Sequence, residues 1–509
     1  MKLQFLNIFI AFLLVACQQQ PAEAKKSSGD DQNQQEESAT DNALTDVEEV
    51  SADEAPLEIM ASPKAGEPDG HHITFKFKNA KDTELIIAYH FGTKQYVHDT
   101  FEVNSKGIAE LKGDEPIPGG LYLAVVPGQP YFEFLIADQH FTLETDLENP
   151  IQSMKVKNSP NNEVFFKDLL FIGDLRQQKK KLADQLNQLE GGSEEAEKLE
   201  TEIAAIDRQV IAQRKQIIRD NPDLFYSKML QANLEPEVGD LDDDGKAFFK
   251  YRDAYIGNVD LADERLLRTP VYQAKVDFYL KNLVSKAPDS IIVAVDKLVA
   301  GAAENDETYK FMLNHLTSKY ERSKIMSMDA VFVHLVESYY HDERVDWIDE
   351  AKLIRIQEKA KNLKPLLIGK RAPNILMRDD KEELKVLYGT EADFTILYFW
   401  DPDCSHCKKA TPKVADVARD FKEHNVKVYA VCTEAEKDKW LKAIEKYEVQ
   451  DWINVADPEF KSTFRGDYDI SSTPITYLLD DQKEILAKKI TPEQLREILE
   501  HYINEKSKK

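Results

Sequence analysis

The chain has 509 residues, 42% hydrophobic and 31% charged, with a formal net charge of −26. That length exceeds what one hydrophobic core serves, so about two to four domains are expected. The acidity, with no run of Lys or Arg, excludes a basic face for nucleic acid or anionic lipid. Its four cysteines (Cys17, Cys404, Cys407 and Cys432) exclude a disulfide framework.

Met1-Lys2 is followed by an apolar run from Leu3 to Ala16 and then by Cys17. A positive residue, an apolar core and small residues at the boundary predict a secretory signal. The run is too short to span a bilayer comfortably as a permanent helix. Leu14-Val15-Ala16-Cys17 resembles the bacterial lipobox, which implies lipidation at Cys17; the plainer alternative is an ordinary signal peptide with a chance Cys. Between Gln18 and Asp69 fourteen acidic residues face three lysines, so this stretch carries −11 of the net charge. With almost no aromatics it cannot offset its ordering entropy by burial, and residues 18–66 are expected to form an extended acidic tether.

Residues 67–155 carry short alternating stretches. Ile73, Phe75 and Phe77 alternate with polar neighbours, Glu84–Phe91 and Lys94–Val103 follow, and turn signals recur at Asn104-Ser105-Lys106-Gly107, Pro118-Gly119-Gly120 and Pro127-Gly128. This spacing predicts a small β-sandwich. After Pro160 the period becomes helical. Leu175, Leu182 and Leu189, then Leu199, Ile203, Ile206, Val210 and Ile217 beyond Gly191-Gly192, predict an antiparallel helical hairpin. Further helices are expected near 275–286, 289–303, 307–321, 326–341 and 350–363, completing an α-helical region over 156–365. Asp240–Gly245 imitates the start of a calcium loop, but position twelve would be Tyr251, where a bidentate Glu is required. His334 and His341 share a helix face, beside Tyr339 and Tyr340, and packing is the expected use of that face. No metal and no cofactor is expected.

The segment Phe394–Pro412 reads FTILYFWDPDCSHCKKATP. Phe394–Trp400 is a buried strand, an Asp-Pro-Asp loop follows, and Cys-x-x-Cys opens a helix. Free N–H groups and the positive helix end favour the thiolate at Cys404, with Cys407 one turn on to resolve a mixed disulfide and His406 beside them. A zinc half-site is the alternative, but zinc takes about four ligands and there is no second Cys pair. Val426–Val431 predicts a second buried strand. Thr473-Pro474 opens a third, and a Pro there is most simply a cis-proline facing the Cys pair. Strand, Cys-x-x-Cys helix and Thr-Pro strand occur in the order of a thioredoxin fold, which is expected over 366–509. Cys432 is expected to be a buried core residue rather than a third redox centre.

These residues resemble the thioredoxin-like domains of the TlpA/ResA type found in exported lipoproteins. The resemblance runs from the lead-in Gly369-Lys370-Arg371-Ala372-Pro373-Asn374 through Tyr398-Phe399-Trp400 and Cys404–Lys409. Arg265–Pro270 and Ser323–Asp329 resemble an uncharacterised helical domain often fused to it, and the β region is similar to a domain of such lipoproteins. The resemblance implies a thiol–disulfide oxidoreductase with a Cys404–Cys407 redox disulfide, His406 assisting, and Thr473, Pro474 and Trp400 contacting the substrate. It further implies reduction of exported proteins or apocytochromes, as in cytochrome c-type biogenesis. Electrons would come from a membrane thiol donor, and the folded domains would sit in the periplasm on a lipid anchor. Two departures stand out. Ala410 and Tyr398 occupy places where reducing relatives and thioredoxins carry acidic residues, leaving water or Asp403 to handle protons. Cys-x-His-Cys also resembles oxidising relatives, across which potentials spread by on the order of 150 mV, so direction stays open. Two rival classes remain: a Cu(I) metallochaperone using Cys404 and Cys407, with His406 as a further ligand, and an adaptor lipoprotein with incidental thiols.

Overall fold

The computed structural model describes residues 70–189, 191–237, 246–341 and 343–507. The signal, the lipidation position Cys17, the acidic tether and the Asp240–Gly245 stretch all lie outside the described residues. The chain forms two compact units, Met1–Val284 with Ala300–Tyr309, and Ser285–Val299 with Lys310–Lys509.

In the first unit eight strands make two four-stranded sheets. They are β1 (His71–Phe77), β2 (Thr83–Phe91), β3 (Lys94–Val103), β4 (Ile108–Gly113), β5 (Gly120–Val125), β6 (Phe132–Ile136), β7 (His140–Thr145) and β8 (Lys155–Lys157). One sheet runs β4-β1-β7-β8 and the other β3-β2-β5-β6, with β1 parallel to β7 and the other pairs antiparallel. Alternation does the work: Ile73, Phe75 and Phe77 are buried on one face of β1, and the Phe75 ring meets Phe134 of β6 edge-on at 5.2 Å across the sheets.

Helix α1 (Pro160–Leu186) starts where Ser159 accepts a hydrogen bond from the Asn162 N–H, with Pro160 in the first turn. The buried Asn162 carboxamide donates to the Leu135 carbonyl (2.7 Å) and accepts from its N–H (2.8 Å), docking α1 on β6. Its hairpin partner is α2 (Glu194–Asp220), followed by α3 (Phe225–Asn233), α4 (Lys246–Gly257) and α5 (Val271–Phe278). Arg268 and Glu307, 6% and 8% exposed, form a two-pronged ion pair at 2.6 and 3.0 Å.

Helices α6 (Pro288–Ala302), α7 (Asp306–Glu321), α8 (Asp329–Tyr339) and α9 (Glu350–Leu363) complete the helical region. His334 hydrogen-bonds Asp296 at 2.7 Å. Among the described residues no group of three His, Cys, Asp or Glu could hold a metal, and no helix is long and apolar enough to cross a membrane.

The C-terminal α/β domain comprises β9 (Leu376–Asp379), β10 (Leu384–Val386), β11 (Phe394–Trp400), α10 (Ser405–Asp420), β12 (Val426–Cys432), α11 (Lys437–Lys446), β13 (Ile453–Ala456), α12 (Phe464–Asp467), β14 (Ile475–Leu479), β15 (Ile485–Lys488) and α13 (Pro492–Ser507). Its seven-stranded sheet runs β10-β9-β13-β12-β11-β14-β15, with β11 parallel to β12 and antiparallel to β14. Every residue of β11 is buried because both sheet faces are covered, which is why it reads as an unbroken apolar run. Tyr398 and Trp400 enter one core with Cys407 and Val414, while Leu397 and Phe399 enter the other with Phe464 and Tyr477.

Candidate active site

The site is built where β11 ends and α10 begins. The Asp401 carboxylate accepts from the Asp403 N–H at 2.7 Å, and the Asp401 carbonyl accepts from the Cys404 N–H at 3.2 Å, so the Asp-Pro-Asp loop is a closed turn. Cys404 follows in extended backbone as the N-cap of α10, and its carbonyl takes the first helical bond, from the Lys408 N–H at 3.0 Å. Lacking a capping side-chain oxygen, the helix start leaves its N–H groups for the sulfur.

Opposite lies the segment before β14, where the Thr473–Pro474 peptide is cis. The Cys404 Sγ reaches the Thr473 carbonyl oxygen at 3.3 Å, and both Thr473 and Pro474 are half-buried at the surface. Cys407 is 1% exposed, and its Sγ accepts from the Asp401 N–H at 3.4 Å.

The two sulfurs differ sharply in acidity. Partial burial opposes ionisation of Cys404, but the N–H groups of Cys407 and His406 outweigh it and hold its pKa below the ordinary thiol value. Burial pushes Cys407 up to about 11, against the opposing pull of the Asp401 N–H. Cys432, also 1% exposed, is pushed up to about 12 by burial and sits in the same core as Cys407. An accessible acidic thiol beside a buried basic one is the arrangement that sequential disulfide exchange requires.

The other predicted residues fall as follows. His406 is exposed on the first turn of α10, where its backbone N–H serves Cys404. Trp400 is fully buried, between the Tyr398 ring (6.5 Å) and the Tyr447 ring (6.2 Å), so the expected substrate contact is replaced by core packing beneath the site. Its carbonyl instead orders the neighbouring loop, accepting from the Thr433 N–H (2.9 Å). Asp403 is exposed and pairs with Lys439 at 3.0 Å; that hydrogen bond holds its carboxyl below the usual range, which makes it a poor proton acceptor for either thiol. The expectation that Asp403 replaces a buried carboxylate is corrected accordingly.

Sequence reasoning missed Thr411. It is fully buried four residues beyond Cys407 on the same helix face, and its Oγ1 hydrogen-bonds the Tyr398 hydroxyl at 3.0 Å. The i, i+4 spacing was the available signal. Also missed was Arg465, whose guanidinium donates to the Thr433 carbonyl at 2.6 Å and braces the strand end beside the Cys loop.

Residues 368–488 match the AhpC/TSA family. The C-terminal domain is thioredoxin-like, and its homologues are thiol–disulfide oxidoreductases. Upstream, residues 246–364 and 71–165 each match a domain of unknown function, DUF5106 and DUF4369. The oxidoreductase domain is 27% identical over 139 residues to the thiol-disulfide oxidoreductase ResA of Bacillus cereus, covering 27% of this chain and 76% of that protein. A domain of a possible thiol-disulfide isomerase from Cytophaga hutchinsonii is 39% identical, covering 28% of this chain and 99% of that one, with a TM-score of 0.27. A thioredoxin-like protein from Bacteroides caccae is 20% identical, covering 53% of this chain and 98% of that one, with a TM-score of 0.43.

Proposed function

We propose that this oxidoreductase is exported, is anchored through Cys17, and reduces disulfides of cell-envelope proteins or apocytochromes through Cys404 and Cys407. The Cys404 thiolate attacks one sulfur of a substrate disulfide. The S–S bond breaks, one substrate sulfur leaves as a thiolate, and a mixed disulfide forms on Cys404. Cys407 then gives up its proton and attacks the Cys404 sulfur. The second substrate sulfur leaves, the Cys404–Cys407 disulfide closes, and two electrons have passed to the substrate. A membrane dithiol restores the pair by the same exchange in reverse. Thr473 and Pro474 offer backbone beside the attacking sulfur, suited to hold an extended peptide.

The observation that supports this reading best is the pairing of a half-buried, acidified Cys404 with a buried, basic Cys407 at one helix start. Export and anchoring rest on the signal and lipobox pattern of residues 1–17. The test is a trapping experiment in the cell. A Cys407→Ser chain is expected to accumulate mixed disulfides on Cys404 with envelope proteins, and Cys404→Ser to accumulate none. Equal recovery from both variants would overturn the reading.

A further inference from the structure

Resolution of the mixed disulfide demands a thiolate at Cys407, whose pKa burial pushes up to about 11. A backbone donor reaches that sulfur: the Asp401 N–H lies 3.4 Å from the Cys407 Sγ. The other end of the same peptide group is the Trp400 carbonyl, and in a planar trans peptide it points the opposite way. There it accepts twice from Thr433, from the N–H at 2.9 Å and from the Oγ1 hydroxyl at 3.3 Å. The first of these bonds carries the β11–β12 ladder one step past its last pair, Trp400 with Cys432, and the second depends on the side chain alone. The Thr433 carbonyl, beyond the last β12–β13 pair of Cys432 with Ala456, accepts from the Arg465 guanidinium at 2.6 Å. Arg465 is held in turn over the Phe464 and Phe460 rings, at 4.8 and 5.3 Å. Hydrogen bonds thus lead from Arg465 through Thr433 and one peptide group to the resolving sulfur.

The titratable groups around that sulfur come from several elements. Helix α10 brings Cys404, β11 brings Tyr398, and the end of α11 brings Tyr447. The loop after β11 brings the Asp401 carboxylate, which accepts from the Asp403 N–H. From β12 and its loop come Cys432 and Glu434; the Glu434 carboxylate accepts from the Glu436 N–H at 2.9 Å and lies 3.9 Å from the Lys439 Nζ.

We propose that Thr433 and Arg465 are positioning residues for the resolving step, fixing the Trp400–Asp401 peptide so that its N–H stays on the Cys407 sulfur as the thiolate forms. This deepens, and rests on, the oxidoreductase reading above. A peptide whose carbonyl accepts two hydrogen bonds is polarised by them, and its N–H becomes a stronger donor. Thr433 supplies both bonds, and Arg465 keeps Thr433 in place by holding its carbonyl at the strand end. A neutral N–H suits a buried thiol because it stabilises the anion without adding a second buried charge. The chemistry of the step is the ordinary one. Cys407 loses its proton to solvent, its sulfur bonds to that of Cys404, and the substrate sulfur leaves with its electron pair. Neither Thr433 nor Arg465 gains or loses a proton or an electron.

The experiment isolates the second step in the full chain. Cys404 is loaded as a mixed disulfide with thionitrobenzoate, and release of the coloured thiol by Cys407 is followed by stopped flow across the pH range. Thr433→Val keeps the backbone bond and removes the hydroxyl. Its alkaline limb is expected to move up by about half a pH unit, in keeping with a strengthening of roughly 10–30% per bond. Release at neutral pH should slow by about twofold, because the roughly threefold loss of thiolate is partly offset by a more nucleophilic sulfur. Thr433→Ser, which keeps the hydroxyl, should restore the limb. Arg465→Met should move it the same way, and the double variant should move it no further than the larger single change, since both act on one peptide. The pH midpoint of the first step, attack of Cys404 on Ellman's reagent, is set by the N–H groups of α10 and should stay where it is. An unchanged limb in Thr433→Val and Arg465→Met, or a shift that Thr433→Ser does not reverse, would overturn the proposal while leaving the oxidoreductase reading intact. Failure of wild-type Cys404 to form the mixed disulfide would overturn that reading and the proposal with it. Should Arg465→Met not fold, the two Thr433 variants decide alone.

Discussion

Limited alkylation of the fully reduced chain is expected to fall almost entirely on Cys404. The size of the preference follows from the site. An ordinary thiol titrates near ~8.5 and is ionised to roughly 3% at neutral pH. Cys404 is held below the ordinary thiol value by the N–H groups of the helix start, whereas Cys407, at about 11, is ionised in roughly one molecule in ten thousand. A gap of more than about two units makes the thiolate ratio at least about a hundredfold. The lower-pKa sulfur is the weaker nucleophile, with a Brønsted slope of about 0.4–0.5, so roughly a tenth of that ratio survives as rate. Burial of Cys407 and Cys432, each 1% exposed, adds a steric barrier that the ionisation argument omits. The preference for Cys404 should therefore exceed about tenfold. The sign of the pH dependence is also set: a depressed pKa keeps the thiolate as pH falls, so Cys404 stays reactive below the range where an ordinary thiol goes silent. The assay is a short pulse of iodoacetamide at several pH values, followed by peptide mass mapping of the three described cysteines. Comparable labelling of Cys407, or a Cys404 midpoint at or above the ordinary thiol value, would refute the reasoning.

Two further predictions concern the exposed carboxylate and the scaffold. Asp403→Asn is expected to leave the pH profiles of both exchange steps where they are, since that carboxylate is solvent-exposed and engaged with Lys439; a shift in the resolution step, measured by thionitrobenzoate release, would restore it as a proton acceptor. Glu307→Leu should cost about 3–5 kcal/mol by stranding a buried Arg268, and Arg268→Met with Glu307→Leu should recover most of that loss. Urea unfolding followed by far-ultraviolet circular dichroism checks both variants. Tryptophan fluorescence would not serve, because all four tryptophans lie in the second unit.

The parts of the fold that were legible in the sequence are those written in short range. The alternation of Ile73, Phe75 and Phe77, the change to a helical period after Pro160, and the strand, Cys-x-x-Cys and Thr-Pro segments are each local signals, the last three read in chain order. The placement of Cys404 and Cys407 at a helix start was legible for the same reason. What was not legible depends on pairings across distance. A strand buried on both faces loses the alternation that reveals direction, so nothing local showed that Trp400 points into the core with Tyr398 rather than toward a substrate. Asn162 on Leu135, Arg268 on Glu307 and the parallel pairing of β1 with β7 join residues 27, 39 and some 68 positions apart, beyond any periodic signal. Tyr398 stood in the sequence as part of the family stretch and as a missing carboxylate, and its hydrogen bond to Thr411, 13 positions on, had no signal of its own there.

The most direct test is the equilibrium reduction potential of the Cys404–Cys407 pair in the full-length protein, measured in defined dithiol buffers with mass-tagging of free thiols. An intramolecular disulfide between these two residues is expected, with Cys432 left as a thiol, at a potential near the roughly −270 mV of thioredoxin. A value near about −120 mV would contradict the reducing direction, and failure to form that disulfide at all would contradict the redox role of the pair.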